Sequence, residues 1–180
     1  MYEEILDTAE ELFMKQGYND TSTRQIANIL NITQPNIYYH FKNKEEIYYQ
    51  VMQRLAKEVG ENLNQIAADE TRDFDEKLLQ MAFYLQKRHP FSLFMMMHDL
   101  QHTLQPEIAN KLFGLWESSY KQPFLGLFTQ EQRIRATVEP DFAVRQLFIL
   151  ISANLDLPEA IKVASLKKTM ELFFYGILEK

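Results

Sequence analysis

The side chains best equipped for chemistry are gathered in one short run, TQPNIYYHF, Thr33–Phe41. It holds the amides of Gln34 and Asn36, the phenols of Tyr38 and Tyr39 and the imidazole of His40. Its apolar pair, Ile37 and Phe41, is spaced i, i+4 and shares one face of a helix. The amides and rings are thereby left for solvent. An outward amide pairs bidentately with an adenine edge, and a phenol offers its hydroxyl to a phosphate and its ring edge to a thymine methyl. Catalysis finds no comparable set: no Ser/His/Asp spacing, phosphate loop or glycine-rich nucleotide motif occurs. Cysteine is absent, which removes disulfides and thiolate chemistry and suits a reducing, cytoplasmic setting. His98 and His102 flank Asp99 at helical spacing, but a zinc site needs three or four ligands. The expectation is therefore no enzyme, no metal and no cofactor.

The elements that must hold this run are all helical. Ile5, Leu6, Ala9, Leu12 and Phe13 share a face of the first helix, and Gly17 suits its C-cap. Thr21 or Ser22 caps a second helix, with Gln25 in capping-box position behind Ser22, and Asn31 occupies the turn after Leu30. Thr33 caps the third helix, whose first turn tolerates Pro35 because early amides have no intrahelical acceptor. Asn43 and Glu46 start a long fourth helix with the stripe Ile47, Val51, Leu55 and Val59. Ile26, Ala27, Leu30 and Ile32 face Ile37 and Phe41, so two short helices are pinned crosswise as in a helix-turn-helix. Thr23 and Arg24, in the first turn of the second helix, and Lys44, at the start of the fourth, are placed to hold phosphates.

Residues 17–47, GYNDTSTRQIANILNITQPNIYYHFKNKEEI, resemble the DNA-binding domain of the TetR family of transcriptional regulators. The matching residues are Gly17, Tyr18, Thr21, Ser22, Ile26, Ala27, Ile32, Thr33, Ile37, Tyr38, His40, Phe41, Lys44 and Ile47. Two positions depart from the pattern. Asn31 replaces the usual turn glycine and accepts the same left-handed backbone. Pro35 stands where glycine or alanine is common and offers an apolar contact to a thymine methyl. The resemblance implies a helix-turn-helix domain over 1–46 and an effector-binding and dimerisation domain over 47–180. It makes Thr23, Arg24, Gln34, Pro35, Asn36, Tyr38, Tyr39, His40 and Lys44 the candidate DNA contacts. The implied partners are a double-stranded operator and a second copy of the chain, with repression the commoner mode. Release by a small effector would act through a tilt of the fourth helix.

Charge pulls against this reading. The chain carries a formal net charge of −6. Residues 1–46 hold Lys15, Arg24, Lys42 and Lys44 against eight carboxylates. Phosphate neutralisation needs cations, so few clamps per subunit call for two half-sites and hence a dimer.

The rest of the chain is also helical, giving an all-α fold. Asp73 and Glu76 box a helix marked by Leu78, Met81, Ala82 and Leu85, ended by His89 and Pro90. Pro106 opens another, and YKQPFLGLFTQEQRI follows without a regular period. Two final helices carry Ala143, Leu147 and Ile151, and then Val163, Leu166, Met170, Phe173, Phe174 and Ile177. Asp156 and Glu159 box the last, with Pro158 inside its first turn. Their apolar width exceeds one inward stripe, which makes Leu147, Ile151, Leu166, Met170, Phe173, Phe174 and Ile177 the expected dimer surface. A small hydrophobic or aromatic effector is expected among Phe94, Met97, His98, Phe113, Trp116, Tyr120 and Phe124, since methionines and amphipathic rings line adaptable pockets. No run of eighteen apolar residues occurs, so no membrane partner is expected. A regulator without effector, and a helical enzyme or carrier that has lost DNA binding, are the competing readings.

Overall fold

A computed structural model describes residues 1–88, 103–155 and 157–179. The described residues form helices joined by short turns, and their β-structure is a single antiparallel bridge between Ile134 and Leu178. They divide into two units. One contains Met1–Lys57 and, among described residues, 103–115; the other contains 58–88 and the described residues from Trp116 onward.

The first unit is built on caps that the sequence declares. Helix α1, Tyr2–Asp20, is kinked at Gly17, whose φ of 81° with ψ 175° favours glycine, and its C-cap is Thr21 and not Gly17. The Thr21 hydroxyl donates to the freed Gly17 carbonyl at 2.8 Å. Ser22, not Thr21, then caps α2, Thr23–Ile29, through a full capping box: Gln25 N donates to Ser22 Oγ and Ser22 N to Gln25 Oε1. Asn31 adopts φ 53° and turns the chain into α3, Gln34–His40. Thr33 is the N-cap residue of α3, but its hydroxyl makes no capping bond, contrary to expectation; its carbonyl accepts from Asn36 N instead. Helix α4, Lys44–Ala67, starts on the Asn43 side chain, which accepts from Glu46 N at 2.8 Å. Ile5, Leu6, Ala9, Phe13, Ile26, Ala27, Ile37, Phe41, Ile47, Val51 and Leu55 are all buried. Among them Phe13 and Tyr18 stack, and Tyr48 meets Phe13 edge-on and Tyr18 at a tilt, with centroids 4.9–6.0 Å apart. Helix α6, Pro106–Trp116, opens at its proline as predicted.

The second unit begins with the rest of α4 and with α5, Phe74–Arg88, capped by the reciprocal Asp73–Glu76 box. The predicted stripe of α5, Leu78, Met81, Ala82 and Leu85, is completely buried. Arg88 fixes Glu58 on α4 with two bonds of 2.8 and 2.9 Å. The stretch read as irregular is in fact helical. A five-residue π-turn, Glu117–Lys121, runs directly into α7, Gln122–Gln130, with Pro123 in the first turn. Here α4 comes close at Gly60, where a Cβ would stand 3.1 Å from the Ser119 side chain. Helices α8, Pro140–Leu155, and α9, Glu159–Ile177, complete the unit. Pro158 is the N-cap residue of α9 and not part of its first turn; Asp156 lies outside the described residues, as do His89 and Pro90. Edge-to-face pairs Phe74–Phe128, Phe124–Phe148 and Trp116–Phe148 knit the core. Val163, one of the apolar residues that mark α9 in the sequence, is exposed. Among the described residues no helix is long and apolar enough to cross a membrane.

The π-turn is held by charge. Lys121 Nζ lies 2.9 Å from Glu117 and 2.6 Å from Asp141, and the bond to Lys121 keeps the Asp141 carboxyl below the usual range. A carboxyl whose folded pKa is depressed contributes stability above its unfolded value, about pH 4, and loses it as pH falls through the folded value. Thermal melts should therefore show wild type losing more stability than Asp141→Asn on descending below about pH 4, and matching its slope above about pH 6.

Candidate nucleic-acid interface

Helix α3 owes its outward face to two anchors. Ile37 and Phe41 are buried, and Phe41 stacks on Tyr2 at 4.8 Å and 18°. The residues between are turned out: Tyr39 is 85% and Tyr38 49% exposed. Pro35 and Asn36 are exposed as well, and Gln34 and His40 half-buried. His40 is flanked edge-on by Tyr39 and Tyr2 at 5.1 and 6.2 Å. Tyr2 had no signal of its own, since an aromatic at the start of an amphipathic helix says nothing about a ring some forty residues away.

Two of the expected phosphate holders are differently occupied. Lys44 Nζ donates to the carbonyls of Tyr18 and Thr21 at 2.8 and 2.9 Å, and stands 3.9 Å over the Tyr18 ring. Its charge is spent on the α1–α2 turn, so the lysine acts as a brace for the head before it acts as a clamp. Thr23 is only 6% exposed, and its hydroxyl meets Gln34 and Tyr38 and not solvent. Arg24 and Lys42 are exposed.

The acids of α1 are gathered elsewhere. Arg54 on α4 reaches Glu3 at 3.4 Å, Asp7 at 2.7 Å and Glu10 at 2.8 Å. The guanidinium partly neutralises the side of α1 that weighed against nucleic-acid binding, and nothing in the charges of 1–46 had pointed to a residue at position 54.

An N-terminal helix-turn-helix with an outward α3 defines a DNA-binding protein by class. Residues 5–51 match the family described as bacterial regulatory proteins, tetR family. It is 42% identical over 50 residues to the HTH-type transcriptional regulator QacR of Staphylococcus aureus, a match covering 28% of this chain and 27% of QacR. It is 25% identical over 179 residues to the biofilm operon icaADBC HTH-type negative transcriptional regulator IcaR of S. aureus, covering 96% of this chain and 92% of IcaR. The crystal structure of the transcriptional regulator FadR from Bacillus subtilis in complex with stearoyl-CoA shares the fold, with a TM-score of 0.75 and 20% identity, over 98% of this chain and 100% of that one.

The C-terminal expectations need correction. Leu147, Ile151, Leu166, Met170 and Ile177 are buried within their own subunit and so are core, whereas Phe173 and Phe174 are half-buried. The apolar residues that α8 and α9 do expose are Phe142, Ile149, Ile161, Val163, Leu172 and Tyr175. Of the effector candidates, Tyr120 and Phe124 are buried, Trp116 is half-buried against Phe148, and Phe113 is exposed. Phe94, Met97 and His98 lie outside the described residues. A cleft of about 350 Å³ is lined by other residues of the second unit: Asp75, Glu171, Phe174, Tyr175, Leu178 and Glu179.

Lys44 and Tyr39 separate bracing from reading. Lys44→Met should leave two carbonyls without their charged donor and cost about 2 kcal/mol, weakening binding to every duplex alike. Tyr39→Ala should leave the melting curve unchanged and reduce discrimination between matched and mismatched duplexes. Gel shifts on both classes of DNA, with urea titration of each variant, check the pair of outcomes.

Proposed function

We propose that the protein is a homodimeric repressor that grips a palindromic operator and releases it when a small hydrophobic or aromatic molecule binds the second unit. The observation that carries the reading is the outward presentation of Gln34, Asn36, Tyr38 and Tyr39 over the buried anchors Ile37 and Phe41. Two such helices reach successive major grooves when held about 34–36 Å apart, or a whole-turn multiple of that. The full-length likeness to a negative regulator, IcaR, supports repression. The exposed apolar residues of α8 and α9 support a second copy as partner. The effector is supported by the Trp116–Phe148–Phe124 ring cluster and by the acyl-CoA ligand of the FadR structure. Helix α4 carries the chain unbroken from one unit into the other, which supplies a covalent route from ligand to reading head. A ligand shifts that balance only by its differential affinity for the bound and released states.

The test is a gel-shift series on the DNA upstream of the protein's own coding sequence, across salt and with stearoyl-CoA and simple aromatic acids as competitors. Salt-sensitive, saturable binding that a competitor releases is expected; turnover of a competitor with no binding to any duplex would sink the proposal. The full burial of Tyr120 and Phe124 favours a second reading, a repressor without small-molecule input, in which binding survives every competitor.

A further inference from the structure

The polar group that organises the reading helix is not on the reading helix. Thr23 is the first residue of α2 and is almost completely buried. Its Oγ1 lies 3.1 Å from Gln34 Nε2 and 3.1 Å from Tyr38 Oη. A threonine hydroxyl has one hydrogen and two acceptor sites, so one oxygen accepts from Gln34 and still shares a proton with Tyr38. Both partners belong to α3, eleven and fifteen residues away in sequence.

From this we infer that Thr23 is a positioning residue for base readout, which fixes the Gln34 amide with its carbonyl outward and so makes position 34 a reader of adenine. The inference rests on the DNA-binding role proposed above. Nε2 carries two hydrogens, and the bond to Thr23 takes one. What remains at the outer edge is Oε1 and one N–H, the acceptor–donor pair that matches N6 and N7 of adenine. The opposite amide orientation would place Oε1 on Thr23 and leave two outward hydrogens, a pattern suited to guanine O6 and N7. With its single hydrogen given to Tyr38 Oη, the Thr23 oxygen can only accept from Gln34, and the threonine so selects between two bases without touching either. It also removes rotamer freedom that a long amide would otherwise surrender on binding. Tyr38, tied to the same oxygen, is held with its ring on the outer face, half exposed.

The test is selection from duplexes with a random core, using the full chain as wild type, Thr23→Val, Thr23→Ser, Gln34→Ala and the double variant Thr23→Val/Gln34→Ala. Wild type should select a half-site with one adenine column that disappears in Gln34→Ala. Thr23→Val, which keeps the side-chain volume, should lower the preference for adenine in that column by about tenfold, within the range a bidentate pair supplies. It should leave intact the columns that neither Gln34 nor Tyr38 reads. Thr23→Ser should restore the preference, and the double variant should match Gln34→Ala. A guanine column at this position, an adenine column unmoved by Thr23→Val, or an even loss over all columns would overturn the assignment. If wild type selected no motif at all, the DNA reading itself would fall; a clear wild-type motif that ignores Thr23 would sink this inference alone. The Gln34 side-chain amide resonances of the free protein give an independent check should Thr23→Val not fold. One of the two hydrogens is expected to be protected from exchange while the outward one exchanges freely, and equal, unprotected exchange of both would contradict the bond.

Discussion

Phe41→Ala should abolish DNA binding on every sequence by unfolding the head. The ring is buried, closes α3 against the first unit and is covered by Tyr2. Truncating a buried phenylalanine costs about 3–5 kcal/mol, a large share of a domain's usual 5–15 kcal/mol. Urea unfolding followed by circular dichroism should show an early loss of part of the helical signal, and gel shifts should find no band at matched or mismatched duplexes. A variant that melted like wild type yet failed to bind would mean that Phe41 touches DNA and is not an anchor. Ile37→Ala is expected to repeat the effect at about 2–5 kcal/mol.

Leu172→Asp combined with Tyr175→Asp should turn the proposed dimer into a monomer. These residues are 74% and 76% exposed in the single chain, and the helical period places them on one side of α9 with Ile161. A twofold interface loses each side chain twice. Four apolar contacts at about 1.5 kcal/mol each amount to roughly 6 kcal/mol, or a dissociation constant raised about 10⁴-fold. Sedimentation equilibrium at micromolar concentration reads this directly, and a monomer that still folds should bind half-sites only weakly. Leu166→Asp is the contrast: buried in its own subunit, it should cost folding first. Persistence of the dimer in the double variant would place the interface on another face.

How far the sequence carries differs between the two ends of the chain. The caps were legible because they are local: Ser22 with Gln25, Asn43 with Glu46 and Asp73 with Glu76 meet within one helical turn. Asn31 and Gly17 were legible for the same reason, since a left-handed residue declares itself by type. Lys44 and Thr23 were not, because their partners lie eleven to twenty-six residues away and spacing alone cannot show which hydroxyl or carbonyl will be near. The burial of Leu147, Ile151, Leu166, Met170 and Ile177 was hidden for a different reason. Helices α8 and α9 are apolar both toward their own core and outward, so a count of apolar residues cannot separate Leu166 from Leu172. The π-turn at Glu117–Lys121 and α7 escaped because Pro123 and a dense run of rings erase the helical period that would otherwise mark them.

The three carboxylates that Arg54 collects bear on kinetics. A molecule with six excess negative charges is repelled as a whole by a polyanion, yet the head that must approach it is polarised, with exposed Arg24 and Lys42 on the helix-turn-helix and the acids of α1 tied to another cation. Such a body is turned by the DNA field more than it is pulled, and the torque fades beyond a Debye length of about 8 Å at physiological salt. Added salt weakens the overall repulsion and the orienting torque together, so its two effects on the encounter rate oppose each other.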